Sequence, residues 1–105
     1  EWEAKSIGRQ VTFETDTKDR KLILDTLTEI VNDTVKQVKS EKKTYKTITI
    51  KVRYEDFYTT SKAKTITEAT SNEKIAQLTA RELLIPFLED KRKVRLIGFS
   101  VSKLA

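Results

Sequence analysis

The sequence contains no cysteine, no histidine and no methionine among its 105 residues. Without cysteine the chain has no disulfide and no thiolate metal site, and this composition fits a reducing compartment. Without histidine it has neither an imidazole ligand for zinc nor the base of a Ser-His-Asp triad. These absences exclude disulfide scaffolds, Cys/His zinc sites and histidine-dependent hydrolases.

Long apolar segments are missing as well. No run of about 18 apolar residues is present, so we expect no transmembrane helix and no membrane partner. The N-terminus, Glu1-Trp2-Glu3-Ala4, lacks the basic and apolar regions of a signal peptide. We therefore expect a cytoplasmic monomer. Because the chain does not begin with methionine, we expect a piece of a longer protein.

Positive charge is concentrated in parts of the chain. The net charge is +5, yet residues 15–40 hold five acids and five bases, and residues 65–90 hold five acids and two bases. Residues 41–64 hold seven bases and three acids, and residues 91–105 hold five bases and no acid. An excess confined to some elements predicts a basic face and a polyanionic partner.

Two segments have helical periodicity. Residues 19–39 place apolar groups on one side, and Asp16 or Thr17 is expected to cap this helix. Residues 71–90 show a second apolar stripe, with Thr70 and Glu73 spaced as a capping box. Proline 86 should kink this helix or end it near residue 85, because proline lacks the backbone donor.

Four segments read as strands, because apolar and polar residues alternate along them. They cover residues 10–14, 46–54, 57–66 and 96–102, and a two-residue connection, Glu55-Asp56, is expected to join the middle two. The order β-α-β-β-α-β predicts an α+β split βαβ domain with a four-stranded sheet and two helices on one face. The other face is predicted to be open and basic, with Thr12, Thr49, Lys51, Arg53, Lys62, Lys64, Ser100 and Ser102.

The chemistry of this predicted face favours phosphate. Lysine and arginine neutralise phosphate charge, and hydroxyls donate hydrogen bonds to it. Base stacking is disfavoured, because Phe13, Tyr54 and Phe99 fall on the helix side by alternation. Four to six phosphate contacts would give a slope of log affinity against log salt of about −4 to −5. A solvated face with no ligand, an acidic-protein-binding module and an RNA-binding module remain alternatives.

Three segments resemble one known family when read in order. They are "KSIGR" at 5–9, "VRYEDFYTT" at 52–60 and "VRLIGFSVS" at 94–102. Together they resemble the C-terminal little-finger domain of DinB-type Y-family translesion DNA polymerases. The resemblance implies a tether at residues 1–4, a DNA-binding domain at residues 5–105, and a grip on both backbones of primer–template duplex in the major groove.

The resemblance also implies contact residues and partners. It implies a polymerase core in the same parent chain, which works with two Mg²⁺ ions, and a sliding clamp as a further partner. The DNA-contact positions that match the family are Lys5, Ser6, Gly8, Arg9, Ser61, Lys62, Ala63, Lys64, Thr65 and Arg95. Alternation places Arg9 with the inward residues, so either a bulge at Gly8 turns it outward or it snorkels past the core; Arg95 raises the same question.

Catalysis by this segment itself is not expected. Two-metal phosphoryl transfer needs carboxylates that hold ions a few Å apart. The acidic pair Glu55-Asp56 fits a solvated turn, and Glu89-Asp90 fits a helix end. We therefore expect no catalytic residue, no metal site and no cofactor in this segment.

Overall fold

The structure is a computed structural model, and it describes residues 6–105. The elements are β1 (Ser6–Thr17), α1 (Arg20–Ser40), β2 (Tyr45–Tyr54), β3 (Thr59–Thr70), α2 (Glu73–Leu84), a 3₁₀ helix (Ile85–Glu89) and β4 (Val94–Ser102). Their order confirms the predicted split βαβ domain. The sheet has the strand order β1-β4-β2-β3, and all neighbours are antiparallel. Neither helix in this part of the chain is long and apolar enough to cross a membrane.

One apolar core fills the space between the sheet and the two helices. The alternate residues Ile48, Ile50 and Val52 of β2 are fully buried in it. Phe13, Tyr54 and Phe99 are buried in the same core, which confirms that these aromatics lie on the helix side. Apolar burial of this kind is the main favourable term in folding, so it determines which sheet face stays exposed.

The start of α1 differs from the prediction. Asp19 is the N-cap, and its side chain accepts a hydrogen bond from Leu22 N at 3.1 Å. The predicted caps, Asp16 and Thr17, are wrong, because β1 continues through Thr17. The Thr17 hydroxyl instead accepts from Asp19 N at 2.9 Å, which tightens the turn between strand and helix.

The boundaries of α2 follow the same logic. Asn72 caps the helix, and the predicted capping box of Thr70 and Glu73 is wrong because Thr70 is still paired in β3. The helix ends at Leu84, and Pro86 lies in the 3₁₀ helix that follows. The prediction that the proline ends the α-helix near residue 85 is confirmed.

The hairpin between β2 and β3 is closed by Tyr54 and Tyr58, so its loop has three residues, 55–57, rather than two. Tyr54 N donates to Tyr58 O at 2.9 Å, and Phe57 N donates to Tyr54 O at 2.8 Å. Phe57 has a φ of +70°, whereas Glu55 and Asp56 have no positive φ. The turn is therefore not of a primed type, and Phe57 is the additional left-handed residue of a three-residue hairpin loop.

Arg92 fastens this hairpin to the loop before β4. Its guanidinium carbon lies 4.3 Å from the ring centre of Tyr54 and 5.0 Å from that of Tyr58. It donates to Asp56 at 3.1 Å and to Asp90 at 2.9 Å. Hydrogen bonds from the Arg92 side chain and backbone hold the pKa of the Asp90 carboxyl well below its ordinary value of 3.8.

This arrangement predicts an acid-sensitive contribution to stability. Because the Asp90 pKa is lowered on folding, its contribution is present above about pH 4 and is lost as the pH falls further. Asp90→Asn should therefore lower the free energy of unfolding at pH 7 and flatten its decline between pH 5 and pH 2. Urea unfolding at several pH values measures this. The control is Asp33→Asn on the exposed side of α1, which should keep the wild-type slope; equal slopes for all three proteins would contradict the prediction.

Candidate nucleic-acid interface

On the sheet face opposite the helices, sixteen positions are paired in regular register across the four strands, and we call these sixteen positions the open face. Strand register aligns them in four rows across β1, β4, β2 and β3. The rows are Ser6, Ser102, Thr47 and Thr65; Gly8, Ser100, Thr49 and Ala63; Gln10, Gly98, Lys51 and Ser61; and Thr12, Leu96, Arg53 and Thr59.

Two side-chain contacts tie neighbouring positions of this face together. The hydroxyls of Thr47 and Thr65 lie 2.9 Å apart, and Arg53 Nε donates to the Thr59 hydroxyl at 2.9 Å. The second contact holds the Arg53 side chain along the sheet.

The open face is rich in hydroxyls and small residues. Nine of its sixteen positions are serine or threonine, and Lys51 and Arg53 are its two cations. None of the sixteen carries a carboxylate or an aromatic ring. A shallow concavity of about 600 Å³ lies over the first three rows. Such a surface can donate hydrogen bonds to an anion, and no fixed negative charge on it opposes the approach.

Lys62 and Lys64 do not lie on the open face, and this part of the prediction is wrong. Register pairs Lys62 with Ile50 and Lys64 with Ile48, whose side chains are buried on the helix side. The Lys64 ammonium forms a salt bridge of 3.4 Å with Glu82 of α2.

The cause of this error is the third loop residue, Phe57. A two-residue connection would pair Tyr54 with Phe57, and Lys62 and Lys64 would then face the open side. The observed loop shifts the pairing by one residue, and a one-residue shift moves every β3 side chain to the opposite face. The open face therefore gains Ser61, Ala63 and Thr65 in place of the two lysines.

Most other predicted positions are brought together. Thr12, Thr49, Lys51, Arg53, Ser100 and Ser102 lie on the open face, as alternation predicted. Ser6, Gly8, Ser61, Ala63 and Thr65, which the family resemblance implied, also lie there. Lys5 and the tether at residues 1–4 fall outside the described residues. Their roles, and the domain boundary predicted between residues 4 and 5, therefore stay predictions.

Arg9 lies on the helix side. It pairs with Phe99, whose side chain is in the core, and no bulge at Gly8 turns it outward. Its guanidinium reaches past the core to α1, where it donates to Gln37 Oε1 at 3.1 Å and approaches the Thr34 hydroxyl at 3.5 Å. Of the two predicted outcomes for Arg9, snorkelling is the one observed.

Arg95 lies in a bulge of β4, outside the four rows. Tyr54 pairs with Val94 and Arg53 pairs with Leu96, so Arg95 is the extra residue between two paired ones. Its guanidinium carbon lies 4.4 Å from the centre of the Phe57 ring, and it contacts Asp16 at 3.5 Å. The guanidinium is thus held at the hairpin end of the sheet.

Sequence reasoning overlooked five open-face positions: Thr47, Thr59, Gln10, Gly98 and Leu96. Gln10 and Gly98 line the concavity, and Leu96 lies on this face with only 1% of its surface exposed. Leu96 sits between Thr12 and Arg53 and outside the main core cluster. Alternation in β1 and β4 placed Gln10, Leu96 and Gly98 on this side, but the predicted face was chosen by charge and hydroxyl groups, which these three residues lack.

The acidic pairs are engaged in contacts that stabilise the hairpin end and the 3₁₀ helix. Glu55 accepts from Lys93 N at 3.2 Å, and Asp56 pairs with Arg92. Glu89 pairs with Arg20 at 3.1 Å. No group of three acidic side chains that could hold a metal ion occurs within residues 6–105.

The chain matches a known protein family. Residues 4–105 match the impB/mucB/samB family C-terminal domain. The chain is 38% identical over 100 residues to DNA polymerase IV of Methanoculleus marisnigri and 39% identical over 103 residues to that of Exiguobacterium sibiricum. These alignments cover 95% and 97% of this chain and 28% of each relative, so the chain spans just over a quarter of the relatives' length.

Solved structures resemble the fold closely. A Dbh ternary complex matches with a TM-score of 0.81 and 29% identity, covering 92% of this chain and 28% of that one. A complex of the beta-clamp processivity factor with the little-finger domain of PolIV matches with a TM-score of 0.71 and 17% identity, covering 92% of this chain and 86% of that one. At that identity the second match concerns the fold alone.

Proposed function

The chain belongs to the impB/mucB/samB family of C-terminal domains and is a little-finger domain of the Y-family type, and from this premise we propose that its open face binds the sugar–phosphate backbone of duplex DNA. The contact is with the primer–template duplex, in its major groove. It carries little sequence information, because phosphates are the same in every base pair.

The composition of the open face carries this proposal. Nine hydroxyls and two cations stand on sixteen positions without a carboxylate, whereas α1 and α2 together mix five acids with six bases. The open face therefore offers donors to a polyanion without the carboxylates that would repel it on the helix side. The absence of aromatic rings from these sixteen positions argues against stacking of single-stranded RNA bases.

We assign nucleotidyl transfer to the parent protein rather than to this segment. In the proposed parent, a polymerase core supplies the carboxylates and two Mg²⁺ ions, and the little finger supplies grip and position for translesion synthesis. A sliding clamp is a proposed further partner, because a solved little-finger domain of the same fold is complexed with one. Because chromosomal DNA is the proposed substrate, we propose that the parent protein works in the cytoplasm, at the nucleoid.

The salt dependence of binding is the first test. The structure leaves two cations on the open face, so the slope of log affinity against log salt should be about −2, not the −4 to −5 expected when Lys62 and Lys64 were counted. Fluorescence anisotropy with a labelled primer–template duplex at several salt concentrations measures this slope. Two duplexes of unrelated sequence should give equal affinities.

Competing ligands separate the alternatives. Single-stranded RNA of equal length should bind more weakly than the duplex. Heparin should also bind more weakly than the duplex. Preference for the RNA would support an RNA-binding module, and equal affinity for heparin and duplex would support a generic polyanion or acidic-protein surface. No duplex binding at low salt would refute the proposed function.

A further inference from the structure

The two glycines of this chain both lie on the open face, but only one of them is required by packing. A Cβ on Gly8 would lie 2.5 Å from Phe99 O and 2.6 Å from Ser100 Cβ, distances that real side chains do not reach. Glycine at position 8 is therefore needed for the close approach of β1 to β4.

Gly98 has no such requirement. Neither glycine has a positive φ, so the backbone at position 98 accepts any L-residue. The nearest atom to a Cβ there is Gln10 Cβ at 3.4 Å, which is ordinary contact. Gly98 nevertheless lies inside the central strand β4, where a glycine weakens the strand because it has no side chain to pack.

The Lys51 side chain occupies the space that Gly98 leaves free. Lys51 and Gly98 are direct cross-strand partners on β2 and β4. The Cε and Cβ atoms of Lys51 lie 3.5 and 3.6 Å from the position of a Cβ on Gly98. Both ends of the aliphatic stem are thus close to Gly98, so the stem runs from β2 across β4 and does not point straight out of the sheet.

We propose that Gly98 is a positioning residue for Lys51. It leaves room for the lysine stem to lie across the central strand, so that the ammonium is presented over the concavity in the middle of the open face. The ligand is a backbone phosphate of duplex DNA, and in this respect the inference rests on the proposed function. Arg53 lies in the next row, where its side chain is held by Thr59, and it supplies the second cation.

A double-mutant cycle tests this proposal. Valine at position 98 adds two methyl groups where the lysine stem lies, and it suits a β-strand. Gly98→Val should weaken duplex binding about fivefold and make the salt slope shallower by about 0.9, as Lys51→Ala should, because each removes one phosphate contact. The double variant should bind no more weakly than either single variant. Gly98→Ala is the matched control, and its affinity should stay within about twofold of wild type, since its Cβ makes only ordinary contacts.

The outcomes distinguish positioning from obstruction. Wild-type affinity in Gly98→Val would overturn the proposal. So would an equal loss in the Lys51→Ala background, because valine would then obstruct the ligand rather than displace the lysine. A nuclear Overhauser effect between the Lys51 ε protons and the Gly98 α protons tests the geometry without DNA, and its absence would overturn the proposal by itself. Failure of the wild-type chain to bind duplex, with that effect present, would refute the proposed function and leave the geometry intact.

Discussion

Lys51→Glu combined with Arg53→Glu is expected to weaken duplex binding about a hundredfold near physiological salt. The substitutions remove both phosphate contacts of the open face and place two carboxylates where phosphates would approach. Neither side chain is in the buried core, so the fold should be retained. Fluorescence anisotropy with the primer–template duplex measures the loss, and circular dichroism checks the fold.

The matched control is Lys62→Glu combined with Lys64→Glu. It changes the net charge by the same amount, but on the helix side of β3. We expect a loss of about threefold to tenfold from the long-range field alone, because exposed charges farther away than a Debye length are screened. Loss of the exposed Lys64–Glu82 pair should change stability little. A larger effect from the Lys62 and Lys64 variant than from the Lys51 and Arg53 variant would move the interface to the β3 edge and contradict the proposed face.

Gly8→Val is expected to have the largest effect on stability, a loss of about 3 kcal/mol in the free energy of unfolding. A side chain at position 8 would overlap the Phe99 carbonyl and Ser100 of the central strand β4, whose backbone cannot move aside without loss of its hydrogen bonds to β1 and β2. For a domain of this size such a loss lowers the Tm by roughly 12 to 24 °C. Thermal and urea unfolding measure both quantities.

The control uses the same substitution in the partner strand. Gly98→Val adds the same side chain to the same face, but the space there is open apart from the movable Lys51 stem and Gln10. Its free energy of unfolding should lie within about 0.5 kcal/mol of wild type. If the two valine variants were equally stable, close packing at Gly8 would not be the reason for its glycine.

The predicted secondary structure was correct wherever periodicity determined it. Apolar spacing placed both helices, and alternation placed the aromatic residues Phe13, Tyr54 and Phe99 in the core. The helix caps were less predictable, because several residues near each helix start could cap it. Asp19 and Asn72 cap the helices because β1 and β3 continue farther than their alternation indicated.

Hydrophobic alternation within each strand was enough to determine the helix side of β2 and β4, and with it the exposure of Lys51 and Arg53. The sequence by itself therefore determined the fold class, the buried face and the presence of a polar sheet surface. It did not determine which side of β3 meets that surface, because β3 is a polar edge strand with few apolar residues to fix its register.

Only the tertiary structure decided the register of β3 against β2, through the left-handed residue Phe57. Phenylalanine rarely adopts a positive φ. The loop contains no glycine or asparagine, the residues that usually signal a left-handed position, so the sequence did not indicate a third loop residue. The Arg95 guanidinium lies against the Phe57 ring, and Arg92 fastens the hairpin from the loop before β4. These contacts come from residues more than 30 positions away, so local sequence could not show that Lys62 and Lys64 face the helices and that hydroxyls line the open face.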